Sequence, residues 1–129
     1  MGNSDAKLKI GMAQIAPVWL DKGRTIDKVM KQLKEAADQH CELLVFGEGV
    51  LPGYPFWLGL TNATAFDNKM QKEIHAHYVR NAIQIEAGDL DEISKACRDH
   101  KIAIYLGIIE RPIDRGGHSI YCSLVYIDA

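Results

Sequence analysis

The residue of this chain best suited to chemistry is Glu48, which follows directly on the apolar run from Leu43 to Phe46. A short apolar run of this kind predicts a strand that is buried on both faces. Glu48 would then lie at or just past the carboxyl end of the strand, where α/β sheets open their ligand crevices. Tyr54, Phe56 and Trp57 follow closely, and a carboxylate set among these rings and Phe46 would be partly dehydrated. Dehydration raises the proton affinity of a carboxylate and suits it to proton transfer near neutral pH.

A structural role is the alternative for Glu48, since an acidic residue after a strand is commonly bonded to nearby backbone in a turn or a structural network. The loop that follows favours a site. Pro52-Gly53 predicts a type II turn, and Pro55 biases the preceding Tyr54 to an extended backbone. A loop stiffened in this way can hold side chains at fixed positions around a pocket.

The segment around Glu48 resembles the first catalytic motif of the nitrilase superfamily, the carbon–nitrogen hydrolases. Its continuation, Pro52-Gly53-Tyr54-Pro55-Phe56-Trp57, is similar to the branch that hydrolyses nitriles. The resemblance covers nearly the whole chain and includes four further stretches: Lys9 to Trp19, Gln71 to Tyr78, Gly107 to Pro112 and Asp114 to Asp128.

This resemblance implies that Glu48 is the general base of a Glu, Lys and Cys catalytic set. It also implies that the Lys and the nucleophilic Cys belong to motifs beyond Ala129, so that this chain is the N-terminal part of a carbon–nitrogen hydrolase domain. Tyr121 lies where the family often has a Tyr in a strand facing the active site, with core packing as the alternative. Phe56 and Trp57 are pocket wall or interface, and the resemblance favours the pocket for at least one. Tyr54 completes the set of expected substrate-binding residues.

The composition is that of an ordinary globular protein, with 129 residues, 47% apolar residues, 25% charged residues and a formal net charge of −2. No basic patch suggests nucleic acid, and no apolar run suggests a membrane span or a signal peptide. The three scattered cysteines Cys41, Cys97 and Cys122 favour a reduced, cytoplasmic protein and are expected to be small buried hydrophobes. His75 and His77 would point to different sides of a helix and cannot share an ion. We expect no cofactor and no metal.

The periodicity predicts an α/β fold of one domain, with the order β-α-β-α-α-β-β and the helices on one face of a sheet. Residues 1–6 are expected to be a loose terminus. The predicted elements are a strand over 7–15, a helix from the cap Asp21 to about 40, a strand over 42–47, a helix over 63–85, a helix from the capping box Asp89 and Glu92, and strands over 102–110 and 118–127 that pair as a hairpin.

The resemblance implies a four-layer α-β-β-α sandwich, of which this chain would supply one helix layer and one sheet. The apolar runs Leu43 to Phe46 and Leu124 to Ile127 need cover on both faces, so the second face would be covered by the missing half or by another subunit. Three functions stay open at this point. The first is hydrolysis of a nitrile to a carboxylic acid and ammonia, with the isolated chain inactive. The second is a non-catalytic half-domain that serves assembly, either as a homo-oligomer or by pairing with a partner chain such as a complementing C-terminal half. The third is a related amidase or cyanide-hydrolysing enzyme.

Overall fold

The computed structural model describes residues 6–63 and 65–129 as a four-stranded sheet flanked by helices. Residues 1–5 of the expected loose terminus lie outside this description. The elements in chain order are β1 (Ile10–Ala13), α1 (Lys22–Asp38), β2 (Leu43–Phe46), α2 (Trp57–Leu60), α3 (Lys69–Asn81), a 3₁₀ turn (Ile85–Ala87), α4 (Asp91–His100), β3 (Ala103–Glu110) and β4 (Tyr121–Ile127). Within these residues no helix combines the length and the apolar character that crossing a bilayer demands.

The strands lie in the order β1-β2-β3-β4. β1, β2 and β3 are parallel, with Gly11 opposite Leu44 and Leu44 opposite Ile104. β3 and β4 are antiparallel, with Ile109 opposite Cys122, so the predicted hairpin is confirmed. Because β2 and β3 are parallel neighbours, their carboxyl ends meet at the same edge of the sheet.

One face of the sheet is covered by α1 and α4, which bury the main hydrophobic core. Helix α1 starts at the predicted cap, where the Asp21 side chain accepts a hydrogen bond from Arg24 N at 2.9 Å. Its apolar stripe, Val29, Leu33 and Ala36, is buried against Leu44 of β2 and its sheet neighbours. The 3.6-residue period of the stripe therefore gave the correct buried side of α1.

The opposite face of the sheet is open over most of its area. Alternation along the strands directs one set of side chains to this side, and many of them are exposed apolar groups: Ile10 at 50%, Met12 at 87%, Tyr105 at 37%, Leu124 at 66% and Tyr126 at 53%. Among the described residues nothing packs over this part of the sheet. The expectation that the helices cover one face and leave the other needing cover is confirmed for this region.

The long helix expected over 63–85 is wrong in its limits. The structure has a short helix α2 inside the aromatic loop and then α3, which begins only at Lys69 because the Asn68 side chain caps it by accepting from Gln71 N at 3.1 Å. The chain leaves the helix after Asn81, since Ile83 N donates to Ile109 O at 2.7 Å and extends the sheet at β3. Sheet pairing there replaces the last helical turn.

Helix α3 also departs from the expected single layer of helices. Its residues Tyr78 and Ala82 form a second, smaller cluster with Trp57 and Ile109. Ile109 projects from the open side of β3, on the same face as Tyr105 two pairs along the strand. Helices α2 and α3 therefore cover the carboxyl end of β3 on the face that α1 and α4 leave open.

The predicted capping box of Asp89 and Glu92 is also wrong. The residue at the N-cap of α4 is Leu90, and it makes no side-chain cap bond. The Asp89 carboxylate instead accepts from Gln84 N at 2.8 Å and pairs with Lys22 of α1 at 2.7 Å. Lys22 is 67 residues away in the chain and Gln84 only five, so a tertiary ion pair and a local backbone bond together replace the expected cap.

Candidate active site

The backbone around Glu48 is an arch over the open face of the sheet. β2 pairs with β3 as far as Val45 and Tyr105, and pairing resumes only at Leu51 and Ile108. The chain thus advances from Val45 to Leu51 while β3 advances only from Tyr105 to Ile108. The surplus residues, with Glu48 among them, bulge out of the sheet at the carboxyl end of β2, which is the position that the sequence predicted.

Gly107 makes this arch possible, because it lies directly beneath it. A Cβ atom at Gly107 would lie 2.2 Å from Gly47 O, 2.8 Å from Gly49 N and 2.9 Å from the Cα of Glu48. Gly49 has a φ of +58°, which turns the arch back towards the sheet. The lack of a side chain at Gly107 of β3 therefore determines where the Glu48 backbone lies.

The expected dehydration of Glu48 is wrong, because its side chain is exposed. The physical reason is that α2 and α3 cover only the carboxyl end of β3 on the open sheet face, and no described residue packs over the rest of it. Glu48 nevertheless lines a cavity of about 490 Å³. The walls of this cavity come from the carboxyl ends of β1 and β2 and from the loop after β2, and the residues are Met12, Ala13, Gln14, Ile15, Pro17, Val45, Phe46, Gly47, Glu48, Val50 and Tyr54.

A thiol contacts the Glu48 carboxylate. Cys122 Sγ donates a hydrogen bond to Glu48 Oε1 at 3.3 Å, across 74 residues of sequence. Desolvation, the hydrogen bond to Glu48 and the negative charge of that carboxylate together raise the pKa of the Cys122 thiol above its usual value. Cys122 was expected to be a small buried hydrophobe, but the residue is exposed on the open face of β4. The same expectation is confirmed for Cys97, which is fully buried, and Cys41 is half-buried.

Of the four expected substrate-binding residues, Tyr54 lies with Glu48 in the same cavity wall. Phe56 points elsewhere and stacks on Trp19, with ring centroids 4.5 Å apart. Trp57 is buried against Tyr78, edge to face at 6.2 Å. Neither Phe56 nor Trp57 contributes to the cavity beside Glu48 in this structure.

Tyr121 is the fourth expected substrate-binding residue, and it lies on the other face of β4 from Cys122. Ser123 has the same parity as Tyr121, and its hydroxyl donates to Glu110 Oε2 at 2.8 Å on the helix-covered side of the sheet. The side chains of Tyr121 and Glu48 therefore project from opposite faces. The cavity brings together Glu48 and Tyr54, and the hydrogen bond adds Cys122.

A buried tyrosine anchors the loop that carries Tyr54. The hydroxyl of Tyr78 donates to Gly53 O at 2.7 Å, and Gly53 has a φ of +137°, the positive value that the Pro-Gly pair predicted. Burial raises the pKa of Tyr78 well above its usual value, and the nearby Cys122 and Tyr54 add to the effect. Tyr78 thus remains a neutral donor at ordinary pH and joins α3 to the rim of the cavity.

Sequence reasoning missed Cys122, Tyr78 and Gly107 as parts of this arrangement. For Cys122 the sequence did contain a signal. Side chains alternate between the two faces of a strand, so Cys122 shares one face of β4 with Leu124 and Tyr126, and Val125 and Ile127 lie on the other. The described residues include no group of three or more His, Cys, Asp or Glu side chains that could hold a metal ion.

The fold and the site define a partial α/β unit that carries an exposed carboxylate at the end of a parallel strand, on a sheet with one face largely uncovered. Residues 9–129 match the Carbon-nitrogen hydrolase family, and the chain belongs to that family. This is the family that the motif around Glu48 indicated.

Individual relatives agree with this assignment. The chain is 34% identical to an aliphatic nitrilase of Rhodococcus rhodochrous over 121 residues, and 30% identical to an arylacetonitrilase of Aspergillus niger over 126 residues. These matches cover 94% and 98% of this chain but only 31% and 34% of the relatives. The chain therefore spans about a third of their length.

The fold resembles that of a solved glutamine-dependent NAD(+) synthetase from Cytophaga hutchinsonii. The TM-score is 0.59 at 20% identity, over 95% of this chain and 17% of the synthetase chain. This likeness supports the partial nitrilase-like architecture and carries no statement about activity.

Proposed function

We propose that this chain supplies the general base of a nitrilase-type hydrolase, which converts a nitrile to a carboxylic acid and ammonia. Glu48 is the base, and the nucleophilic Cys and the assisting Lys belong to sequence outside these 129 residues. The relatives named aliphatic nitrilase and arylacetonitrilase support nitriles as the substrate class.

The observation that carries the proposal is the placement of Glu48. Its carboxylate lies beside a cavity of about 490 Å³, and Oε2 has no hydrogen-bond or ion-pair partner within residues 6–63 and 65–129. An oxygen without a partner is available to accept a proton. The open face beside it leaves room for a second layer that would carry the remaining catalytic groups and exclude water, which strengthens electrostatic effects at the reacting atoms.

The chemistry follows from the base. Glu48 takes the proton of the nucleophilic thiol and passes it to the nitrile nitrogen as the sulfur bonds to the nitrile carbon, which gives a thioimidate. Glu48 then deprotonates a water that attacks the thioimidate carbon, the two protons of this water pass to the nitrogen, and the carbon–nitrogen bond breaks to release ammonia and leave a thioester. Glu48 deprotonates a second water that attacks the thioester carbon, the carbon–sulfur bond breaks to release the carboxylic acid, and Glu48 returns the proton to sulfur. The Lys stabilises the negative charge that develops on the substrate.

The test joins residues 1–129 to the segment that follows the matched region in the Rhodococcus rhodochrous enzyme and measures ammonia release from nitriles, amides and cyanide. We expect activity on nitriles in the fusion and none in the 129-residue chain alone. Glu48→Gln should lower the rate by about 10²–10⁴-fold, the usual contribution of general acid–base catalysis.

Glu86→Gln is the matched control, because Glu86 is an exposed carboxylate in the 3₁₀ turn. It should leave the rate within about twofold, since exposed substitutions rarely perturb a fold. A fusion that hydrolyses nitriles equally well with Gln at position 48 would refute the assignment of the base. Activity on amides alone would replace the nitrile with an amide as the substrate.

A second candidate function, assembly without catalysis, is favoured by the open sheet face. Met12, Leu124 and Tyr126 are 87%, 66% and 53% exposed on one side of the sheet, and contiguous apolar surface of this kind marks an interaction site. Light scattering of the purified chain distinguishes the two candidates. A stable dimer of the 129-residue chain supports assembly, whereas a compact monomer argues against it.

A further inference from the structure

Two independent features converge on the side chain of Glu48. The arch over Gly107 fixes its backbone from below. Its carboxylate is contacted by a residue of β4. The pairing of Cys122 with Ile109 of β3 places the Cys122 thiol on the open face of the sheet. The result is the contact of 3.3 Å from Cys122 Sγ to Glu48 Oε1.

We propose that Cys122 is a positioning residue for the catalytic base: its thiol holds Glu48 Oε1 and so directs Oε2 to the reacting proton. The catalytic consequence rests on the proposed function of Glu48. The contact itself does not, and it can be tested in the chain without any activity.

The need for such a contact follows from the exposure of Glu48. A Glu side chain has several freely rotating bonds, so fixing it in one conformation costs rotamer entropy. Among the described residues, no ion pair and no hydrogen bond other than that from Cys122 restrains the carboxylate. One donor on one oxygen reduces this freedom and leaves the second oxygen unoccupied.

The protonation state of Cys122 decides whether its sulfur is a hydrogen-bond donor or a nucleophile. The thiol pKa of Cys122 is raised, so the group carries its proton near neutral pH and donates it to the hydrogen bond. A thiolate at this position would repel the carboxylate and break the contact. The other titratable groups close by are Tyr54 and Tyr78, which interact electrostatically with each other, and Tyr78 also interacts with Cys122. Tyr78 stays neutral in the same pH range, because burial raises its pKa.

The first experiment measures alkylation of each cysteine by iodoacetamide from pH 6 to pH 10, resolved by peptide mass spectrometry, in the 129-residue chain. Glu48→Gln removes the negative charge, lowers the thiol pKa of Cys122 and should speed its labelling at pH 7.5 at least ~3-fold, since only the thiolate reacts. Cys41 should label at the same rate in both proteins. Cys97 should stay unlabelled, because it is buried, and this reports that the fold is intact.

Glu86→Gln is again the control and should leave all three rates unchanged. An unchanged Cys122 labelling profile in Glu48→Gln, with Cys97 still protected, would overturn the proposed contact. This result would leave the role of Glu48 as a base untouched.

The second experiment uses the nitrilase fusion. Cys122→Ala should lower kcat about tenfold with KM within about twofold, because the base is misdirected while substrate binding is retained. Cys122→Ser should recover most of kcat, since the hydroxyl is also a donor. An unchanged kcat in Cys122→Ala, in a fusion that Glu48→Gln inactivates, would overturn the positioning role and keep the proposed function.

Discussion

Gly107→Ala is the sharpest test of how the fold places Glu48. The new Cβ would lie 2.2 Å from Gly47 O and 2.9 Å from the Cα of Glu48. Both are backbone atoms, so no flexible side chain can move aside. Restoring ordinary contact requires the arch and the strand to separate by roughly 1 Å.

The expected cost of this separation is about 1–3 kcal/mol of unfolding free energy, which is typical of overpacking that forces backbone shifts. The shift also acts on function, because a misplacement of about 1 Å in a reacting group can cost ~10²-fold in rate. Gly107→Ala should therefore weaken both the stability of the chain and the contact between Glu48 and Cys122.

Urea unfolding of the 129-residue chain measures the first effect, and the pH profile of Cys122 alkylation measures the second. Gly59→Ala is the matched control, since a Cβ at Gly59 would meet nothing within 4 Å. If Gly107→Ala unfolds at the same urea concentration as the parent chain and leaves the Cys122 profile unchanged, the close approach of the arch to β3 is refuted.

Three further predictions concern the supports of the site. Asp21→Ala should lower the unfolding free energy by about 1 kcal/mol, because it removes the cap bond to Arg24 N, whereas the exposed mid-helix variant Asp27→Ala should change it by less than about 0.5 kcal/mol in urea unfolding. Tyr78→Phe should cost about 0.5–1.5 kcal/mol in the same assay by removing the bond to Gly53 O; an unchanged midpoint would contradict that bond. Because the pKa of Tyr78 is raised in the folded chain, the unfolded state releases its proton first. Stability should therefore fall as pH rises above about 10, and less steeply in Tyr78→Phe; parallel pH curves for the two proteins would contradict this.

The local elements were predictable because their causes are local. The 3.6-residue period of Val29, Leu33 and Ala36 defined helix α1, and Asp21 marked its start. The apolar run ending at Phe46 located strand β2 and with it the position of Glu48. In each case, residues a few positions apart carry the information.

The capping box at Asp89 shows where local reasoning fails. The carboxylate is bonded to Lys22 and to the backbone of Gln84 instead of to a helix N–H. The proximity of Lys22 to Asp89 depends on how α1 and the turn before α4 pack together. A short-range pattern contains no information about that packing.

The sequence alone determined the family, the order of most elements and the place of Glu48 at a strand end, since motif and periodicity are properties of neighbouring residues. Only the tertiary structure decided that Glu48 is exposed on an uncovered sheet, that Gly107 lies beneath its backbone and that Cys122 contacts its carboxylate. Each of these facts depends on the register of strands that are distant in the chain. Register is set by the packing of the whole sheet, and so the surroundings of the catalytic candidate emerge only when the chain folds.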